Sequence, residues 1–194
     1  MIGHKSRRIL ITGGNTGLGL ALATKLARRH QLLLSGRKTR DEVAASLPPG
    51  AGYIVADQSD PETSAAALLD GVTEFGWDGL DNAVLNAGTG FAAVDGIDST
   101  DAIRQTLDVN LLAAVLQAQA LYPLLKKTSG TLTLIGSVAH KGSATVPAYA
   151  ASGRNGRAMF RFRSCIPARR KRKCTTRPVM IPASCGLCFS LLKT

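Results

Sequence analysis

The sequence predicts an α/β fold, a doubly wound parallel sheet with helices on both faces, and three observations carry that prediction. Short apolar runs alternate with longer amphipathic stretches from Arg8 to Ser137. The short runs are apolar nearly throughout, as strands buried on both faces are. The first of them ends in a glycine-rich turn that opens a helix. With 194 residues and 45% hydrophobic content, the chain is long enough for one domain with a sizeable core.

Taken in order, the runs 9–12, 31–35, 52–56, 82–85 and 131–136 read as strands, each bounded by Gly, Asp, Ser or Asn. Between them 17–30, 39–47, 61–75 and 99–125 read as helices. Pro61 follows Asp60 as a first-turn proline does, and Ser99 stands where it caps the long fourth helix. That helix carries Leu, Ala and Val on more than one face, which predicts that part of it packs against a neighbouring subunit.

Charge divides the chain. Through Ser152 thirteen basic residues balance thirteen acidic ones; residues 153–194 hold the other eleven basic residues and no acidic one, so the whole net charge of +11 belongs to the tail. The four cysteines, Cys165, Cys174, Cys185 and Cys188, lie there too. The chain therefore reads as a domain over 1–152 followed by a basic, Cys-containing tail over 153–194, expected to be poorly ordered.

The apolar run after the basic N-terminus is only Ile9 to Ile11, far short of a signal-peptide core, and no stretch approaches the roughly 18 apolar residues of a membrane span. A cytoplasmic protein with free thiols is the expectation. In the tail, Arg169-Arg170-Lys171-Arg172-Lys173 also admits a nucleic-acid reading and Cys185-Gly186-Leu187-Cys188 half of a zinc site. Neither is favoured, because a single C-x-x-C with no second pair and no His after His140 does not make a metal site.

The chemistry begins at Thr12-Gly13-Gly14-Asn15-Thr16-Gly17-Leu18-Gly19. A turn of this composition between a buried strand and a helix lets backbone N–H groups approach a pyrophosphate at the positive end of the helix. The alternative is a tight strand-to-helix connection and nothing more. Thr12-Gly13-x-x-x-Gly17-x-Gly19, then Asn86-Ala87-Gly88, then Asn110, Ser137 and Tyr149, in that order, resemble the short-chain dehydrogenase/reductase family over about residues 7 to 152.

The resemblance implies a Rossmann-like sheet of order 3-2-1-4-5, with the sixth and seventh strands missing from this chain. It implies an NAD(P)-dependent oxidoreductase that transfers hydride between nicotinamide and a small alcohol or carbonyl substrate, in a full-length relative as a homo-oligomer. The implied cofactor-binding residues are Thr12, Gly13, Asn15, Thr16, Gly17, Leu18, Gly19, Arg37, Asp57, Asn86, Ala87 and Gly88. Asp57 matches an acidic residue that hydrogen-bonds the adenine, although taken alone it reads equally as a loop or cap residue. The second strand ends Ser35-Gly36-Arg37-Lys38 with no carboxylate until Asp41. A basic residue there suits a ribose 2′-phosphate, so NADP(H) is expected in preference to NAD(H), the alternative being that Arg37 and Lys38 are simply solvated.

Carbonyl reduction needs a proton donor and a polar group that fixes the carbonyl oxygen, and Ser137 and Tyr149 resemble the family's pair for those roles, with Asn110 beside them. A tyrosine is only about one part in a thousand ionised at pH 7, and the family lowers its pKa with a lysine four residues on. Here that position is Gly153. Arg154 lies about 140° around a helix from Tyr149, Arg157 is two turns away, and Lys141 precedes the tyrosine in a loop. Two expectations remain open: an active oxidoreductase, and a pseudoenzyme that binds nucleotide or a partner without turnover. The loss of carboxylates beyond Ser152 is also what a change of reading frame in a GC-rich gene, between Ser152 and Ser164, would produce.

Overall fold

The computed structural model describes residues 6–143 and 145–153. Five strands, β1 (Arg8–Thr12), β2 (Gln31–Gly36), β3 (Gly52–Val55), β4 (Asn82–Leu85) and β5 (Thr131–Leu134), form one parallel sheet of order β3-β2-β1-β4-β5. The expected α/β class and strand order are both found. The remainder of the tail after Gly153, with its basic run, its cysteines, Arg154 and Arg157, lies outside the described residues, as do the positions where a sixth and seventh strand would follow.

Alternate residues of each strand serve two cores. Leu10, Leu33, Ile54, Ala83, Leu85 and Leu132 meet α3 (Pro61–Glu74) and α5 (Ala113–Thr128) through Leu68, Val72, Leu121 and Leu125. Ile9, Ile11, Leu32, Leu34 and Val84 meet α1 (Gly17–Leu26) through Ala23 and Leu22. Burying each Leu, Ile or Val among them contributes about 1.5–3 kcal/mol relative to exposure, which is why these strands are apolar on both sides.

Two of the helices start where a nearby side chain caps them. Asp60 accepts from the Thr63 N–H at 3.1 Å and Pro61 opens α3; Ser99 accepts from the Ala102 N–H at 3.1 Å and opens α4 (Thr100–Leu107). The second helix is shorter than its sequence pattern, with α2 (Arg40–Val43) passing into a 3-10 turn over Ala44–Ser46. The first ends at Leu26, four residues before His30.

The long fourth helix is not uniform. Between α4 and α5 the backbone widens into a π turn over Asp108–Leu112, and the helix then runs on to Thr128, past the expected end. Asn110 occupies the π turn, a feature that single-turn insertions often mark at functional sites. After β5 a 3-10 turn over Val138–Lys141 leads to α6 (Pro147–Gly153), which carries Tyr149. Among the described residues no helix is long and apolar enough to cross a membrane.

Candidate active site

In a parallel sheet of this order the chain reverses its winding between β1 and β4, and the crevice beyond their carboxyl ends is where ligands bind. Both turns that leave those strands are sequence motifs, and they are bonded to each other. The Thr12 hydroxyl oxygen accepts from the N–H of Asn86 at 3.0 Å and of Ala87 at 3.1 Å. In return, Asn86 Nδ2 donates to the carbonyls of Thr12 at 3.1 Å and Gly13 at 3.3 Å.

The glycine turn is tight because side chains have no room. Gly13 has φ +61°, and a Cβ on it would lie 3.0 Å from Ala87 Cα. At Gly17, by contrast, nothing lies within 4 Å of the Cβ position, so this face of the turn is an open cradle. Thr16, at the amino end of α1, makes no side-chain capping bond, and no acidic residue occupies the first turn. An uncapped helix start, opened by glycine and free of negative charge, fits a pyrophosphate group. Leu18 beside it is 64% exposed, an uncovered apolar side chain in that cradle.

At the end of β2, Asn15 is buried and its Oδ1 stands where a side chain on Gly36 would project, 2.3 Å from that Cβ position, with the Tyr53 hydroxyl 2.7 Å from it. Tyr53 donates to the Lys38 carbonyl at 3.1 Å, and burial raises its phenol above the ordinary value, so it remains a donor. Arg37 and Lys38 are exposed beyond it. Asp57 is exposed at the end of β3, where one carboxylate oxygen accepts from the Ser59 N–H at 2.9 Å. This is the local turn bond that its sequence context already allowed.

Asn110 joins the second turn to the tyrosine helix. Its Oδ1 accepts from Thr89 N and its Nδ2 donates to Thr89 O, both at 2.8 Å, and Nδ2 also donates to Ser152 Oγ at 3.0 Å. Ser152 Oγ in turn donates to the Tyr149 carbonyl at 2.9 Å. Gly88 packs on the same amide, its Cβ position 3.3 Å from Asn110 Oδ1. Ser137 caps the 3-10 turn by accepting from the Ala139 N–H at 3.2 Å, and that turn packs on α6. Tyr149 is half-buried on α6, its ring against Gly90, where a Cβ would come within 3.0 Å of Cδ2.

Asn110 and Ser137 thus stand on two turns that both pack on α6, the helix that carries Tyr149. Lys141 ends the 3-10 turn and is exposed, and Gly153 closes α6 one turn after Tyr149. Sequence reasoning missed Ser152, Thr89, Gly90 and Asp98, whose carboxylate accepts from the Ala148 N–H at 2.6 Å. Ser152 was findable, three residues from Tyr149 on one helical face; a bond spanning fifty residues has no local signal. Among the described residues no group of three or more His, Cys, Asp or Glu is placed to hold a metal.

Residues 7–162 match a family model described as short chain dehydrogenase. An uncharacterised oxidoreductase of Mycobacterium tuberculosis is 35% identical over 165 residues, covering 78% of this chain and 64% of that protein. The 17-beta-hydroxysteroid dehydrogenase type 1 of Homo sapiens is 33% identical over 142 residues, 67% of this chain and 42% of that one. Among solved structures, the Pseudomonas aeruginosa RhlG/NADP active-site complex aligns with TM-score 0.67 at 25% identity, covering 76% of this chain and 62% of that one. A 3-oxoacyl (acyl-carrier-protein) reductase from Agrobacterium tumefaciens C58 with NADP bound aligns with TM-score 0.67 at 25% identity, covering 79% and 62%. The chain spans less than two thirds of the length of each of these relatives.

Proposed function

The chain belongs to the short-chain dehydrogenase family, and from that premise we propose that it binds a nicotinamide dinucleotide, NADP(H) in preference to NAD(H), in the crevice between β1 and β4. The observation that carries this reading is the pair of bonds from Asn86 N and Ala87 N to Thr12 Oγ1, which welds the two motif turns into one rim. The uncapped start of α1 at Thr16, Gly17, Leu18 and Gly19 would hold the pyrophosphate, and Arg37 with Lys38 the 2′-phosphate. Two solved relatives named for bound NADP support the phosphorylated cofactor.

The bound cofactor supplies or accepts the hydride. The reaction we infer is the interconversion of a small alcohol and its carbonyl. In that reaction Ser137 Oγ orients the substrate oxygen and the Tyr149 hydroxyl delivers or removes its proton. Asn110 keeps the Asn86-Ala87-Gly88-Thr89 turn and the tyrosine helix in one frame through its bonds to Thr89 and Ser152. A homo-oligomer is part of this reading, supported by Ile103, Leu107, Leu112 and Val115, apolar side chains 37–45% exposed along α4, the π turn and the start of α5.

A second reading, nucleotide binding without turnover, is favoured by one observation: Gly153 stands where a cation would lower the Tyr149 pKa. Titrating the purified chain with NADP⁺ and NAD⁺ and then assaying hydride transfer on a panel of alcohols and carbonyls separates the two. Binding with turnover supports the oxidoreductase, binding without it the second reading, and no binding of either nucleotide removes both.

A further inference from the structure

The helix that carries Tyr149 cannot cap itself. Val146 precedes it with no side-chain oxygen, Pro147 has no N–H, and the Ala148 N–H is therefore the first donor of α6 that needs an acceptor. Asp98 supplies one from fifty residues away, its Oδ2 accepting from Ala148 N at 2.6 Å. Asp98 is half-buried and directly precedes Ser99, the residue that caps α4, so its backbone is fixed by the start of a second helix.

Apolar anchoring of α6 is thin, since Ala150 and Ser152 are its buried residues. Polar tethers therefore decide its orientation. One holds the approach to the helix, where Ala93 N donates to Thr145 O at 2.8 Å. Asp98 holds the amino end, and Asn110 holds the carboxyl end through Ser152 at 3.0 Å. All three come from the segment that runs from the end of β4 through the π turn, and Gly90 of the same segment supplies the surface on which the Tyr149 ring rests.

We propose that Asp98 is a positioning residue for Tyr149: its carboxylate fixes the amino end of α6 while Asn110 and Ser152 fix the other, so that the segment from Gly90 to Asn110 sets where the phenol stands. The negative charge also lies at the positive end of the helix, so the same contact satisfies an orphan donor and the helix dipole. This rests on the reading of Tyr149 as the proton-transferring group, but its physical content is the placement of the ring.

The test uses the full chain with ring-¹³C tyrosine and compares Asp98→Ala with Asp98→Asn, which keeps an acceptor oxygen. Asp98→Ala is expected to shift and broaden the Tyr149 ring signals while those of Tyr53 and Tyr122 stay in place. It should also speed amide exchange at Tyr149, Ala150 and Ala151 about tenfold relative to Leu10 and Leu33, the scale of one lost hydrogen bond to a charged group. Asp98→Asn is expected to restore most of both. Unchanged Tyr149 signals in Asp98→Ala overturn the proposal, and so does equal acceleration in the sheet, which marks a general loss of stability. Should Asp98→Ala not fold, Ser152→Ala tests the other tether, and an unmoved Tyr149 ring there overturns the proposal equally. A parallel NADP⁺ titration reports separately on the reading of the site, since a ring displaced with no nucleotide bound would sink that reading and leave the placement of Tyr149 standing.

Discussion

Gly19 faces the carbonyl oxygen of Gly13 so closely that a Cβ on Gly19 would lie 2.2 Å from it and 2.7 Å from Asn86 Nδ2. The obstacle is backbone, which cannot swing aside as a side chain does. Gly19→Ala must therefore move the start of α1 away from the turn, at a cost of about 1–3 kcal/mol. Urea melts are expected to show that loss, and NADP⁺ titration a fall in affinity of about tenfold or more, because the displaced N–H groups are those assigned to the pyrophosphate. An alanine variant with unchanged melt and affinity would contradict this packing.

The Thr12 hydroxyl is the acceptor for two backbone donors of the next motif. Thr12→Val keeps the shape and removes the acceptor, leaving two part-buried N–H groups to be satisfied elsewhere. The expected destabilisation is about 1–3 kcal/mol, with Thr12→Ser much closer to the parent. Chemical denaturation of the three proteins checks the order, and a valine variant as stable as the parent would show that water serves those amides equally well.

The sheet was legible because burial on both faces forces apolar runs, and the short, bounded runs around Leu32-Leu33-Leu34 and Ile9-Leu10-Ile11 read as strands at their length and spacing. The glycine turn proposed to hold the cofactor was legible as a turn for a related reason: Gly13 and Gly19 are glycine for steric cause. The π turn at Asp108–Leu112 was not, because its local sequence is ordinary helix and what accompanies it is Asn110 bonding to Thr89 and Ser152, contacts 21 and 42 residues away. The Asp98 cap escaped likewise, while the Ser99 and Asp60 caps, whose partners are three residues on, did not.

Arg37 follows β2 at the point where a ribose 2′-substituent would lie, and Gly36 before it leaves no carboxylate to hold a free hydroxyl. Arg37→Ala should weaken NADP⁺ binding about tenfold and leave NAD⁺ binding within about twofold, as expected for loss of one charge-assisted phosphate contact. The discrimination should shrink as salt is raised, because both partners are near the surface. Equal weakening of the two cofactors in calorimetric titration would instead assign Arg37 to a part that they share.

Three exposed carboxylates are held below their ordinary pKa: Asp60 by the Thr63 N–H, Glu42 by the Thr39 hydroxyl and N–H, and Asp78 by the Arg8 guanidinium. A depressed folded-state pKa means that the folded chain binds protons less readily than the unfolded one. The stabilisation is thus complete above the unfolded carboxylate values and is lost as pH falls through the folded ones. Thermal melts are expected to be level from neutral pH to the ordinary carboxylate range and to decline below it. Asp60→Asn keeps a capping oxygen without the titration, so its decline should be shallower; an identical slope would remove Asp60 from the account.

Gly153 closes α6 four residues after Tyr149, on the same helical face. An ammonium group there favours the phenolate, and each unit by which it lowers the tyrosine pKa raises the ionised fraction near neutrality tenfold. Turnover of alcohol by the chain as it stands is therefore expected to be slow, yet above background with cofactor bound, as the oxidoreductase reading requires. Gly153→Lys should raise it by about tenfold or more, most steeply as pH climbs toward the tyrosine pKa. Helix propensity changes too, since any straight side chain at this position favours α6 over glycine by up to about 1 kcal/mol, so Gly153→Met is the control that adds length without charge. A methionine variant as active as the lysine variant would assign the gain to helix order, and parent turnover equal to that of Gly153→Lys would show that Tyr149 works here without a cation at that position.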